Sequence, residues 1–249
     1  MRHGAPSRIS APASLREIDT GGVTSSDAPV DAVFFDLFGT LLSLAPLDDA
    51  CDRVAPGRGA ELAARWRARQ LEASWLRTAM DRWADFDVVT RETLEATLDE
   101  LGIALPDDLD ALADAFAELP LVPAAPGTLR HLREAGLATG ILTNASTRTL
   151  DRVAARLDLS MDPLLSVDAA RTFKPHPRVY QLAVDATGLS PGRISFVTAN
   201  GWDAAGAGAF GFRVAWLRPN PSASLPAVGA PEPLIATWTE IPAIFGART

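Results

Sequence analysis

Asp31-Ala32-Val33-Phe34-Phe35-Asp36-Leu37-Phe38-Gly39-Thr40-Leu41 is the stretch on which the fold turns. Four apolar residues in a row end at an aspartate, and a glycine three positions later marks a tight polar turn. A short apolar run bounded by turn signals predicts a strand buried on both faces, as in parallel sheets. Similar runs recur at Ala138–Leu142, Leu164–Val167, Ile194–Val197 and Arg213–Leu217. Helical patterns separate the later ones: Leu129 and Leu132 before Gly136; Leu150, Val153, Ala154 and Leu157; and Val179, Leu182 and Ala183 between Pro177 and Gly188. Proline at the start and glycine past the end are helix punctuation. Strand alternating with helix predicts an α/β protein, a parallel sheet with helices on both faces.

Between about residues 45 and 122 the alternation stops. Leu62, Trp66, Ala73, Leu76, Met80 and Trp83 recur at helical steps, as do Leu94, Leu98 and Leu101 before Gly102, and Leu109, Leu112, Phe116 and Leu119. The spacing predicts three or four amphipathic helices inserted after the first strand. The expected organisation is a helical cap subdomain over 45–122 on a core built from 29–44 and 123–249. Residues 1–28, rich in Ser, Ala, Gly and Pro with balanced charge, read as a disordered extension. Pro219–Pro233 reads as a surface loop.

The 249 residues, 47% apolar and 22% charged, suffice for one sizeable core. A net charge of -8 argues against a general nucleic-acid binder, which needs basic patches to displace phosphate counterions. No apolar run approaches the roughly 20 residues that cross a bilayer. The single cysteine, Cys51, excludes a disulfide framework and a Cys-based zinc site, so a reducing cytoplasm is expected. Of 23 basic residues only Lys174 is a lysine, and Tyr180 is the sole tyrosine. Either that one place requires a compact ammonium or its lysine is a compositional accident; both readings stand at this point.

Ligands of parallel α/β sheets bind beyond the carboxyl ends of the strands. Four strand ends here carry polar groups: Asp36; Thr143-Asn144; Lys174; and Thr198, Asn200 and Asp203. Each alone has an ordinary explanation as a turn residue or helix cap, but their coincidence at one sheet edge marks a candidate site. Other signals are less specific. Gly206-Ala207-Gly208-Ala209-Phe210-Gly211 matches a dinucleotide fingerprint in spacing, yet lies inside a predicted helix with no acidic residue about 20 positions on. Small residues for close helix packing are the alternative. His176 is either a base or a loop histidine beside prolines, while Trp66, Trp75, Trp83 and Cys51 read as packing residues.

Phe35-Asp36-Leu37-Phe38-Gly39-Thr40-Leu41, Leu142-Thr143-Asn144, Lys174-Pro175 and Asn200-Gly201-Trp202-Asp203 together resemble the four motifs of the haloacid dehalogenase superfamily, and most of all its L-2-haloacid dehalogenases. The likeness continues through Pro56-Gly57-Arg58-Gly59, Trp66-Arg67-Ala68-Arg69-Gln70-Leu71-Glu72 and Trp75-Leu76-Arg77. It covers about residues 30 to 247. Phosphatases of the superfamily place a second aspartate two residues after the nucleophile, close to Mg²⁺; here that position is Phe38, which can neither donate a proton nor favour a metal. The dehalogenases resembled often carry tyrosine there, so the chain departs by one hydroxyl. Thr143 and Thr198 stand where those enzymes commonly have serine.

The resemblance implies a Rossmann-like core with an inserted helical cap, no cofactor and no metal. It implies a hydrolase of short L-2-haloacids: Asp36 attacks C2, halide leaves, and water cleaves the aspartyl ester to give the D-2-hydroxy acid with inversion. Arg67 would receive the halide beside Asn144. Thr143 and nearby backbone N–H groups, including those around Leu37, would bind the substrate carboxylate. Lys174 would neutralise Asp36, Asp203 would hold Lys174 and orient water, and Thr40, Thr198, Asn200 and Tyr180 would fix the network. Phe38, Leu71, Phe86 and Trp202 would line the apolar part. The expected partner is a small anionic haloacid, with no nucleic acid or membrane, in a homodimer. A phosphoryl-transfer enzyme and a capped binding protein without turnover are the rival readings.

Overall fold

The computed structural model describes residues 30–218, 220 and 222–246. The extension read over 1–28 lies outside the described residues. Six strands, β1 (Ala32–Phe35), β2 (Ala138–Thr143), β3 (Leu164–Ser166), β4 (Ile194–Thr198), β5 (Arg213–Trp216) and β6 (Leu234–Ile235), form one parallel sheet in the order β3-β2-β1-β4-β5-β6. All four residues of β1 are buried, as its apolar run requires, and Ala32 sits opposite Ala138 on one side and Ile194 on the other. The chain winds one way from β1 to β3 and the other way from β4 to β6. The reversal leaves a crevice beyond the ends of β1 and β4, where a parallel sheet of this order takes its ligand.

Among the described residues the first four helices after β1 make up the insertion: α1 (Pro46–Asp52), α2 (Gly59–Ala79), α3 (Phe86–Glu100) and α4 (Leu109–Ala113). The two chain crossings at the base of this insertion run side by side, with Ser43 N–H donating to Pro120 O at 2.9 Å and Val122 N–H to Leu41 O at 2.8 Å. The remaining helices are α5 (Ala125–Glu134), α6 (Thr147–Leu157), α7 (Pro177–Thr187), α8 (Gly201–Phe210) and α9 (Ile241–Gly246). Helix α7 packs on α8 and α5 on α9, with α8 lying against β4 and β5 and α5 against β2. Among the described residues no helix is long and apolar enough to cross a membrane.

Several boundaries differ from the periodicity. The α2 helix ends at Ala79, so Met80 and Trp83 fall beyond it; Asp81 takes a left-handed φ of 54°, and Leu76 and Met80 are exposed. The apolar residues from Leu109 to Leu119 serve two elements, with Leu109 and Leu112 on α4 and Phe116 in a tighter 3-10 turn over Asp114–Glu118, because a spacing of three suits both helix types. Val167 opens a 3-10 turn and Leu217 lies past β5. The edge strand β6, two exposed residues after the proline-rich loop, has no apolar signature of its own.

The small residues of α8 bring it against the site rather than against a nucleotide. A Cβ on Gly206 would lie 2.5 Å from both Pro175 Cβ and Tyr180 Oη. Overpacking of this kind costs about 1–3 kcal/mol, more than the roughly 1 kcal/mol that alanine gains over glycine inside a helix. Gly206→Ala is therefore expected to lower the urea midpoint with an unchanged slope. A midpoint at or above the native value would show that the Pro175 loop has slack.

Candidate active site

Asp36 continues the β1 ladder for one more bond, its N–H donating to Val197 O at 3.0 Å, and the chain then turns sharply. Gly39 makes that turn with φ +79°, a value that an L side chain strains to reach. The turn brings Thr40 back under the carboxylate of Asp36, with Thr40 Oγ1 donating to Oδ2 at 3.0 Å. Thr40 Oγ1 in turn accepts the Ala199 N–H at 2.9 Å, stitching the β1 turn to the end of β4. Asn200 Nδ2 donates to the same Asp36 Oδ2 at 2.7 Å and to Phe38 O at 3.2 Å.

Lys174 reaches the other oxygen. Its ammonium donates to Asp36 Oδ1 at 3.0 Å and to Asp203 Oδ2 at 2.8 Å, and it lies 4.7 Å from the centre of the Phe196 ring. Lys174 and Asp203 are both closed to solvent. Tyr180 on α7 completes the chain, its hydroxyl donating to Asp203 Oδ1 at 2.8 Å. Burial alone would pull the lysine down, but the carboxylates of Asp203 and Asp36 outweigh it and hold it above its ordinary value. Burial pushes the Asp203 carboxyl upward and Asp36 adds to the push, against the opposing pull of Lys174. The Tyr180 phenol is driven well above its usual range, chiefly by burial, so it serves as a donor.

The other strand ends supply a second group of contacts. Asn144 Oδ1 accepts the Lys174 N–H at 3.0 Å, which leaves its Nδ2 free to donate. Thr143 Oγ1 accepts from Ala145 N–H at 3.1 Å and Thr198 Oγ1 from Asn200 N–H at 3.1 Å, so each hydroxyl proton points elsewhere. The Leu37 side chain is fully buried in the core, leaving its backbone as the part that can meet a ligand. Among the described residues no protein acceptor takes the N–H of Leu37 or Phe38.

Residues of the inserted helices face this edge. Arg67 on α2 is part-buried; burial lowers its guanidinium and the charge of Asp36 opposes the shift. Its Nη1 donates to Gln70 Oε1 at 3.4 Å. The Phe38 ring meets Phe116 edge-on at 5.2 Å, and Phe86 packs against Phe173, the residue before Lys174. Leu71 is half-buried on α2. Trp202 meets Trp75 of α2 edge-on at 5.7 Å, a packing contact that joins the inserted helices to the core. A cavity of about 340 Å³ has Phe38 and Phe86 on its wall, but Asp36 and Lys174 are not part of its lining.

His176 caps α7, its Nδ1 accepting the Arg178 N–H at 3.2 Å, so the structure gives it a helix-capping task. Gln70 and Asp87 also belong to the surroundings of this edge. Gln70 is a polar residue on the buried stripe Leu62-Trp66-Gln70-Ser74, a signal visible in the spacing. Asp87 is tied to Ser146, Arg148 and Thr149 across the gap between α3 and α6, which no local pattern announces.

The model of the haloacid dehalogenase-like hydrolases matches residues 30–211. An (S)-2-haloacid dehalogenase of Pseudomonas sp. (strain YL) is 41% identical over 76% of this chain and 82% of its own. Haloacetate dehalogenase H-2 of Moraxella sp. (strain B) is 36% identical over 76% of this chain and 85% of its own. The structure of L-2-haloacid dehalogenase from Xanthobacter autotrophicus with chloropropionic acid covalently bound superposes with a TM-score of 0.79. It is 35% identical and covers 86% of this chain and 98% of its own.

The ammonium of Lys174 can be tested without reference to a reaction. Lys174→Met leaves two buried carboxylates facing each other, and breaking a buried pair from one side costs about 3–5 kcal/mol. Protonating the acids relieves that cost. The stability gap between native protein and variant, from urea unfolding, is therefore expected to be largest at pH 8 and to narrow toward pH 5. A small gap that does not change with pH would show that the ammonium does not hold the acids.

Proposed function

The chain belongs to the haloacid dehalogenase-like hydrolases and, within them, to the (S)-2-haloacid dehalogenases; from that membership we propose that it hydrolyses short L-2-haloacids to D-2-hydroxy acids through an ester on Asp36. One observation carries the reading: the ammonium of Lys174 bridges Asp36 and Asp203, and a phenyl ring, Phe38, stands two residues after Asp36. The cation between the carboxylates is thus the protein's own, and the position from which an acid would protonate a leaving alkoxide is apolar. Halide leaves without a proton. That matches a nucleophile with no general acid beside it.

In the proposed path Asp36 Oδ1 attacks C2 from the side opposite the halogen. It has one donor where Oδ2 has two, so it keeps more lone-pair density for the new bond. The C–X bond breaks and halide departs with its electron pair toward Arg67 and Asn144 Nδ2. The substrate carboxylate sits on the Thr143 hydroxyl and the free N–H groups of Leu37 and Phe38. Phe38, Leu71, Phe86 and Trp202 wall the side chain. A water then adds to the carboxyl carbon of Asp36; the Asp–O bond to that carbon breaks, the product keeps the original Asp36 oxygen, and one proton is released per turnover. Asp203, its basicity raised by burial, orients that water together with Lys174, while Thr40, Thr198, Asn200 and Tyr180 hold the geometry. Attack from behind inverts C2. The covalent chloropropionic acid in the Xanthobacter enzyme supports a covalent path.

The helices α1 to α4 act in this reading as a cap, placing Arg67 over the strand ends. The exposed Leu76 and Met80 at the end of α2 support pairing of two such chains through the cap.

Halide release from each enantiomer of 2-chloropropionate, beside a generic phosphate ester with Mg²⁺, tests the proposal. Release from the (S) form alone is expected; turnover of only the ester would overturn it. The pH profile gives a second check. Protonated Asp203 can no longer hold the ammonium, and burial raises its carboxyl, so kcat should fall with decreasing pH above the ordinary Asp range near ~3.9. An acid limb at or below that range would remove Asp203 from the mechanism.

A further inference from the structure

Among the arginines of α2, Arg67 is set apart by its partner. Arg65 and Arg69 pair with Glu100, and Arg77 pairs with Glu92. No carboxylate among the described residues lies within ion-pair distance of Arg67; its guanidinium instead meets the amide oxygen of Gln70 at 3.4 Å. Gln70 is completely buried, and its Nε2 donates to Thr90 Oγ1 on α3 at 2.8 Å. Thr90 is fixed from its other side, its carbonyl accepting the Trp66 indole N–H at 2.9 Å. The amide is thereby held with its oxygen toward Arg67 and its NH₂ away from it.

A buried polar side chain on a helix face shared with Leu62, Trp66 and Ser74 is costly unless it is bonded, and this one is bonded at both ends. A glutamate at position 70 would reach the same guanidinium and bind it as a bidentate pair. Such a pair is neutral and adds a negative charge where halide must leave. An aliphatic residue would leave the long arginine without a tether. The amide is the side chain of this size that tethers Arg67 without neutralising it.

We propose that Gln70 is a positioning residue that keeps Arg67 a cation free of a direct ion pair for the departing halide, and that its lack of charge matters as much as its hydrogen bond. The inference rests on the reading of Arg67 as the halide acceptor. Three variants separate the two: Arg67→Ala, Gln70→Glu and Gln70→Met, assayed for kcat, haloacid KM, inhibition by added bromide, and kcat across pH.

Gln70→Glu should lose on the order of 100-fold in kcat at pH 8, the scale for one misplaced transition-state charge, and should lose bromide inhibition. Its kcat relative to the native enzyme should rise as pH falls, because a protonated carboxyl is again neutral. Gln70→Met should lose roughly fivefold, the scale of one neutral hydrogen bond, by a ratio that does not vary with pH. A merely structural role predicts similar, pH-independent losses for both, and that result overturns the proposal, as does native kcat in Gln70→Glu. High activity in Arg67→Ala would overturn the reading of Arg67 and this inference with it; an inactive Arg67→Ala beside a native-like Gln70→Glu overturns this inference alone. If Gln70→Glu shows no cooperative melting, Gln70→Met decides: weakened bromide inhibition at unchanged KM supports the proposal, and native bromide inhibition refutes it.

Discussion

The ammonium of Lys174, shut away from water and shared between Asp36 and Asp203, is the contact on which the rest of the structure depends. Two acids buried at one strand edge would not both stay ionised on their own. At about 3 Å and an effective dielectric near 20, each ammonium–carboxylate contact is worth roughly 5 kcal/mol before desolvation is subtracted. That attraction offsets burial only when the remaining lone pairs are also satisfied. Thr40, Asn200 and Tyr180 satisfy them, and each comes from a different element. Here the preference for lysine acquires a physical reason: a compact point charge fits between two carboxylates where a planar guanidinium would fork onto one.

Geometry at the sheet edge follows from that requirement. The reversal of strand order between β1 and β4 opens the crevice, and the bond from Ala199 N–H to Thr40 Oγ1 closes its floor. Gly206 lets α8 approach Pro175 and Tyr180, which keeps Asp203 within reach of the lysine. The inserted helices attach beside these same groups. Thr78 Oγ1 accepts the Phe173 N–H at 3.2 Å, one residue before Lys174. Asp87 accepts from Ser146 at 2.7 Å and Thr149 at 2.9 Å, just past Asn144. Any movement of α2 and α3 is therefore felt at the strand ends, and Arg67 moves with them.

Much of this was legible in the residues. Buried runs gave five of the strands because a strand covered on both faces leaves a continuous apolar signal, and the strand-end polar groups fell at one edge as the parallel arrangement requires. The edge strand Leu234–Ile235 left no such trace, since exposed residues at a sheet margin need no pattern. The run through Met80 and Trp83 misled because helical spacing continues past the point where Asp81 turns the backbone left-handed. The contacts of Lys174 with Asp203 and Asp36 join residues 29 and 138 positions apart, so the sequence named the participants but not which oxygen meets which donor. Gln70 was legible only as a polar residue on a buried stripe.

If Asp36 is the nucleophile that Lys174 orients, its carboxylate must acquire solvent oxygen. A single turnover of (S)-2-chloropropionate with enzyme in excess in ¹⁸O-water, followed by mass analysis of the peptide bearing Asp36, tests this most directly. The account predicts label in the Asp36 carboxylate and unlabelled 2-hydroxy acid; label in the first product with none in Asp36 would mean that water attacks C2 itself, and would contradict it.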